Sequence, residues 1–126
     1  MSRVLIVDDH PTMRSAIRAV LEQEGYEVEE SGDGEAALTR IAERPPDAVI
    51  LDLSLPDIPG LDVLARLRAD PATSSVRVIV VSAFGEDGRA GAIAAGADAY
   101  LTKPFGPSAL LPTVRRVLEE AAPPAG

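Results

Sequence analysis

The sequence predicts an α/β fold in which five parallel strands form one doubly wound sheet with helices on both faces. Short, largely β-branched apolar runs alternate with segments of helical spacing, as expected of repeated βα units. Strands that are apolar along their whole length are typical of a parallel sheet buried on both faces. A length of 126 residues fits one domain with a substantial core.

The N-terminal half is expected to contain strands at 4–7, 26–29 and 48–51, and helices between Pro11 and Gly25 and over 35–43. Proline suits the first turn of a helix, and glycine commonly follows a helix C-terminus. The second strand alternates apolar and acidic residues, which indicates a half-buried strand near an edge of the sheet.

The C-terminal half is expected to contain strands at 78–81 and 99–102, and helices over 61–69, over 88–95 and from Pro107. The helix over 88–95 is predicted to be weak because Gly88 and Gly91 lower helix propensity. Residues 1–120 are expected to form the domain, while 121–126 have the Pro/Ala composition of a linker.

Five βα units in a chain of this length fit the strand order 2-1-3-4-5 of a flavodoxin-like sheet. That order makes the first and third strands neighbours at the switch point, so the residues that follow them converge. Ligands of open α/β sheets bind at this carboxyl edge.

Composition argues against several other classes of protein. The net charge is -8, with 20 acidic and 12 basic residues, which opposes non-specific nucleic-acid binding by this domain. No apolar run approaches the roughly 20 residues that a membrane span requires. Cysteine is absent, so the fold needs no disulfide, and a cytoplasmic location is expected.

Polar side chains stand at the ends of four of the predicted strands. Asp8 and Asp9 follow the first strand, Asp52 the third, Ser82 the fourth and Lys103 the fifth. Three carboxylates, a hydroxyl and an ammonium are therefore expected at one edge of the sheet.

This set of groups suits a divalent cation beside a phosphoryl group. Neighbouring carboxylates repel one another, and Mg²⁺ relieves the repulsion by taking oxygen ligands from carboxylates and phosphate. A strand-end carboxylate such as Asp52 can also act as a nucleophile toward phosphorus. Lys103 would neutralise developing charge, and the Ser82 hydroxyl could bond a phosphoryl oxygen.

Each of these residues also has an ordinary structural interpretation. Asp9 could help to cap the helix that begins near Pro11, and Ser82 could be a turn residue. Lys103 could be a solvated surface charge. Their joint position at strand ends favours the functional interpretation.

Four motifs give the chain its family resemblance over residues 3–120. The motifs are VLIVDD at 4–9, ILDLSLP at 50–56, VSA at 81–83 and YLTKPF at 100–105. With these motifs the sequence resembles the receiver domain of two-component response regulators.

The resemblance implies a role for each matching residue: Asp52 as phospho-acceptor, Asp8, Asp9, Asp52 and the Ser54 backbone carbonyl as ligands of Mg²⁺ or Mn²⁺, Lys103 as the phosphate-binding lysine, and Ser82 and Tyr100 as switch residues. It also implies a cis peptide before Pro104. The expected partner is a sensor histidine kinase or a phosphotransfer protein. An output domain after residue 126 and a homodimer through the last helix and strand are further expectations.

The chain is not expected to be an enzyme beyond catalysing its own phosphorylation and dephosphorylation. A phosphatase of the haloacid-dehalogenase type is an alternative, but it requires a second Asp where Ser54 stands. A flavodoxin-type cofactor binder is disfavoured because the acidic loop at 8–11 would repel phosphate. A docking receiver that is never phosphorylated is also considered, although all five key side chains are present.

Overall fold

A computed structural model describes residues 2–121, which form one five-stranded parallel sheet between two layers of helices. The elements follow in the order β1 (Arg3–Val7), α1 (Pro11–Gln23), β2 (Glu27–Ser31), α2 (Gly34–Glu43), β3 (Ala48–Asp52), α3 (Gly60–Ala69), β4 (Arg77–Ser82), a 3₁₀ turn (Gly85–Gly88), α4 (Arg89–Ala94), β5 (Ala99–Thr102) and α5 (Pro107–Ala121). The remaining tail at 122–126 lies outside the described residues.

The strand order is β2-β1-β3-β4-β5, and every pair is parallel, which confirms the predicted fold class. The register aligns Val7 of β1 with Leu51 of β3, and Ser82 of β4 with Thr102 of β5. The carboxyl ends of the central strands therefore finish at nearly the same level.

Two apolar clusters hold the sheet from its two faces. Leu5, Val49 and Val78 point toward α2, α3 and α4 in one cluster, whereas Ile6, Ile50 and Ile79 point toward α1 and α5 in the other. The central strands are buried along nearly their whole length, as the continuous apolar runs predicted. Burial on both faces fixes the height and direction of each strand end.

The acidic second strand starts and ends later than the alternation predicted, at Glu27 and Ser31. Its extra length is explained by ion pairs on the two faces of this edge strand. The Arg18 guanidinium donates to Glu30 Oε2 at 2.6 Å, and Arg3 Nε lies 3.4 Å from Glu29 Oε1. The charged side chains on this edge strand discourage edge-to-edge association.

The predicted weak helix over 88–95 is shorter than expected. A 3₁₀ turn over Gly85–Gly88 precedes α4, which has only six residues, Arg89–Ala94. Gly85, the first residue of this turn, has a φ of +66°. Glycine adopts this left-handed conformation without the strain that a side chain would cause. Within residues 2–121, no helix is long and apolar enough to cross a membrane.

The start of α3 packs directly on the end of β3, and only glycine fits at the contact. A Cβ at Gly60 would lie 2.5 Å from the carbonyl oxygen of Asp52 and 2.6 Å from the Cα of Leu53. The Gly60 N–H donates a hydrogen bond to the Leu53 carbonyl at 3.0 Å. This contact sets the path of the loop that follows Asp52.

Gly60→Ala is expected to lower the free energy of unfolding by about 1–3 kcal/mol, because the new methyl group forces backbone to move. Gly91→Ala is the matched control, since a Cβ there meets nothing within 4 Å. The control should stabilise α4 or change stability by less than about 1 kcal/mol. Urea unfolding measures both, and equal effects of the two substitutions would contradict the assignment.

Candidate functional site

The site lies where β1, β3 and the segment after β5 end side by side. Asp8 directly follows β1, and Asp52 is the last residue of β3. The Lys103 ammonium reaches both, with Nζ 2.7 Å from Asp52 Oδ2 and 3.3 Å from Asp8 Oδ2. The structure thus brings together three of the residues that the sequence placed at one sheet edge.

Because these charged side chains are buried, the ionisation of each depends strongly on its charged neighbours. The side chains of Asp8 and Asp52 are almost fully buried, and that of Lys103 is 17% exposed. Burial opposes ionisation of Asp8, but the His10 backbone N–H and the Lys103 charge outweigh it and hold the pKa of this carboxyl below its ordinary value. Burial likewise opposes the charge on Lys103, yet Asp52 and Asp8 raise its pKa above the ordinary value.

Asp9 joins the cluster from a more open position. Its side chain is 34% exposed, but its Oδ1 is buried and lies 3.0 Å from His10 Nδ1, a contact without hydrogen-bond geometry. His10 rather than Asp9 is the N-cap of α1, and within residues 2–121 no side-chain capping bond to the first-turn N–H groups is made there. The capping interpretation of Asp9 is therefore wrong.

The donor set fits a divalent cation. One ligand atom each from Asp8, Asp9, His10 and Asp52 can be chosen so that all lie within 4.8 Å of one another. Three carboxylates supply the oxygen ligands that a hard cation such as Mg²⁺ prefers. The buried Asp9 oxygen without a hydrogen bond is the type of group that such an ion would satisfy.

The loop after Asp52 is tied down at both ends. The Ser54 N–H donates to Asp52 Oδ1 at 2.9 Å and orients the carboxylate. Asp57 accepts hydrogen bonds from the Gly34 and Glu35 N–H groups, both at 2.8 Å, and so adds a long-range cap to α2, whose N-cap residue is Asp33. These bonds, the one from Glu35 first, hold the pKa of Asp57 below its usual value. Sequence analysis missed this cap because Asp57 acts on a helix that lies over twenty residues earlier.

Ser82 is fully buried at the end of β4, in the position that the sequence predicted. Its Oγ accepts a hydrogen bond from the Phe84 N–H at 2.9 Å. The hydrogen bonding between β4 and β5 extends one residue beyond β5, because the Lys103 N–H donates to the Ser82 carbonyl at 2.8 Å. The Lys103–Pro104 peptide is cis, as the resemblance implied.

Tyr100, which the resemblance implies is a switch residue, has a buried ring in this structure, with 3% exposure. Its hydroxyl donates to the Gly85 carbonyl at 2.6 Å, and the Arg89 guanidinium lies 5.2 Å from the ring centroid. A hydrogen bond and a cation–π contact thus retain the ring.

Gly88 explains why the ring fits there. A Cβ at Gly88 would lie 2.5 Å from the Tyr100 hydroxyl oxygen and 3.3 Å from Cζ. The sequence indicated only a helix-weakening glycine at this position. Its steric role could not be predicted, because Tyr100 lies on β5, in a separate element of the chain.

Comparison with known proteins agrees with this geometry. The family model of the response regulator receiver domain matches residues 4–115. The transcriptional regulatory protein KdpE of Mycobacterium tuberculosis is 45% identical over 116 residues, which cover 91% of this chain and 50% of that protein. The phosphate regulon regulator PhoB of Pseudomonas aeruginosa is 37% identical, over 95% of this chain and 53% of its own length. The chain therefore spans about half the length of these relatives.

Solved structures show the same fold. A CheY-like receiver domain protein of Methanospirillum hungatei superposes with a TM-score of 0.88 and 30% identity, covering 96% of each chain. The chemotaxis response regulator CheY4 of Vibrio cholerae gives a TM-score of 0.87 and 30% identity, covering 93% of this chain and 98% of its own.

Gly88→Ala is expected to expel the Tyr100 ring and break its bond to Gly85, which lowers the free energy of unfolding by about 1 kcal/mol. The measurement is acrylamide quenching of tyrosine fluorescence in a Tyr26→Phe background, where Tyr100 is the sole tyrosine and tryptophan is absent. Quenching should rise with Gly88→Ala and stay unchanged with the control Gly91→Ala. Quenching that is equally low in both variants would show that Gly88 does not determine the ring position.

Proposed function

The chain belongs to the response regulator receiver domain family, and on that premise we propose that Asp52 is the residue that accepts the phosphoryl group. The donor is a phosphohistidine of a sensor histidine kinase or of a phosphotransfer protein. The observation that carries the proposal is the buried Asp52 carboxylate, held at 2.7 Å by the Lys103 ammonium beside a second buried carboxylate, Asp8.

The reaction transfers one phosphoryl group between two nucleophiles. A carboxylate oxygen of Asp52 forms the new bond to phosphorus as the bond from phosphorus to the imidazole nitrogen breaks, and the electron pair remains on the imidazole. Phosphoryl transfer depends mainly on in-line positioning and charge neutralisation. The Ser54 N–H orients the acceptor, and Lys103 balances the charge of the phosphoryl oxygens.

Asp8, Asp9 and Asp52, with the Ser54 backbone carbonyl, are the proposed holders of Mg²⁺, for which Mn²⁺ can substitute. When bound, the ion would neutralise phosphoryl oxygens and orient the donor. The supporting observations are the convergence of the three carboxylates and the buried Asp9 oxygen that has no hydrogen bond from the described residues.

Ser82 and Tyr100 are proposed to couple this chemistry to the surface. The Ser82 hydroxyl would leave the Phe84 N–H and donate to a phosphoryl oxygen of Asp52. That movement changes the backbone that precedes Gly85, whose carbonyl holds Tyr100. The phosphoryl group would shift a population between states through these differential contacts.

Partners and output are also proposals. The KdpE and PhoB relatives are named as transcriptional regulators and are about twice as long as this chain. We propose that residues 1–120 act as the receiver, that 121–126 act as a linker, and that an output domain follows residue 126. A homodimer through β5 and α5 and a cytoplasmic location belong to the same proposal. The net charge of -8 disfavours DNA binding by this domain itself.

No enzyme family is indicated by the comparisons, and catalysis is proposed only for the domain's own phosphorylation and dephosphorylation. The haloacid-dehalogenase alternative is disfavoured because Ser54, whose side chain carries no carboxylate, stands where the second Asp is needed. A docking receiver without phosphorylation is disfavoured by the complete set of Asp8, Asp9, Asp52, Ser82 and Lys103.

Asp52→Asn is expected to abolish labelling by acetyl phosphate, because an amide is a poor nucleophile toward phosphorus. Intact-mass measurement of the native protein with Mg²⁺ should show one added phosphoryl group, and chelation of the metal should prevent it. Asp62→Asn, an exposed change in the first turn of α3, is the matched control and should label normally. Equal labelling of the Asp52→Asn protein would exclude Asp52 as the acceptor.

A further inference from the structure

His10 lies at the rim of the carboxylate cluster with one ring nitrogen between two of its members. The His10 Nδ1 is 3.1 Å from Asp8 Oδ1 and 3.0 Å from Asp9 Oδ1. The backbone N–H of His10 also donates to Asp8 Oδ1 at 2.8 Å, so the residue is fixed against the pocket. Its ring is 66% exposed and remains accessible from solvent.

The proposed function uses the three carboxylates but leaves this imidazole without a role. A hard cation such as Mg²⁺ prefers oxygen ligands, whereas imidazole suits Zn²⁺, Ni²⁺ and Co²⁺. The sequence contains one histidine and no cysteine, so His10 is the only imidazole or thiol ligand that the chain offers. Adding one nitrogen to an all-oxygen set changes which ions the pocket prefers.

We propose that His10 is a fourth ligand, which makes the pocket a mixed nitrogen and oxygen site for borderline divalent transition ions. This inference rests on the proposed metal site, since it needs the same carboxylates. Asp8 and Asp9 provide oxygen ligands for either class of ion, and His10 adds a bond only for the borderline ions. His10 is therefore a residue that determines metal selectivity, and Mg²⁺ binding does not depend on it.

The experiment compares Zn²⁺ and Mg²⁺ binding to the native chain, His10→Gln and Asp9→Asn by calorimetry. Glutamine retains a polar side chain but removes the imidazole. His10→Gln should weaken Zn²⁺ binding by about tenfold or more, and it should change Mg²⁺ affinity by less than about twofold because oxygen ligands serve that ion. Asp9→Asn should weaken both ions, because it removes a charged oxygen shared by the two donor sets.

A second readout reports the bond directly. One equivalent of Zn²⁺ should change the imidazole ¹⁵N chemical shifts of the native protein far more than Mg²⁺ does, because only Zn²⁺ would form a bond to the ring nitrogen and Mg²⁺ would alter only the neighbouring carboxylates. Because the chain has one histidine, the signal can arise only from His10.

Three results would overturn the inference. Equal Zn²⁺ affinity of the native and His10→Gln proteins would show that His10 is not a ligand. If Mg²⁺ binding were normal in that case, the proposed function would still stand. Zn²⁺ binding that depends on His10 but is insensitive to Asp9→Asn would indicate an isolated surface histidine. Absence of both Mg²⁺ and Zn²⁺ binding in the native protein would contradict the proposed metal site as well.

Discussion

The contact of the Lys103 ammonium with Asp52 and Asp8 is the interaction on which the site depends. Two buried carboxylates at adjacent strand ends repel each other, and in a poorly solvated pocket that repulsion would favour protonation of one of them. Lys103 removes this cost by lying 2.7 Å from one and 3.3 Å from the other. A cation therefore lies beside Asp52, the proposed acceptor, where an arriving phosphoryl group would need its charge balanced. Lys103 is 51 residues from Asp52 and 95 residues from Asp8 along the sequence, so only the folded sheet brings the three side chains together.

Sheet packing supplies the precision that this contact needs. The central strands are buried from both faces, and the pairing of Asp52 with Val81 and of Ser82 with Thr102 places neighbouring strand ends at one level. The loops are then fixed individually. Gly60 lets α3 pack on the backbone of Asp52, and Asp57 bonds the start of α2, so the segment after Asp52 is anchored to two helices. Stability and chemistry are linked here, because the contacts that hold the loop also orient the carboxylate.

The strands and the carboxylates at their ends could be predicted from a local signal, an apolar run that ends in a polar residue, whereas the strand order was inferred from the number of βα units in a chain of this length. The sequence could not predict contacts that depend on how distant elements pack. Asp57 bonds the start of a helix earlier in the chain, Gly88 makes room for a ring on β5, and the Tyr100 hydroxyl donates to the Gly85 carbonyl. Element ends also differ from the prediction where tertiary ion pairs act, as in β2, whose Glu30 pairs with Arg14 and Arg18 of α1. His10 follows the acidic pair directly in the sequence, but the position of its ring against Asp8 and Asp9 depends on the turn into α1 and could not be predicted.

The central claim is that the phosphoryl group resides on Asp52 and on no other carboxylate of the cluster. The direct measurement is borohydride reduction of the phosphorylated native protein, which converts an aspartyl phosphate to homoserine, followed by peptide mass spectrometry. The account predicts homoserine at position 52, with Asp8 and Asp9 unmodified. Homoserine at position 8 or 9, or an acid-stable phosphate on a hydroxyl residue with Asp52 intact, would contradict it.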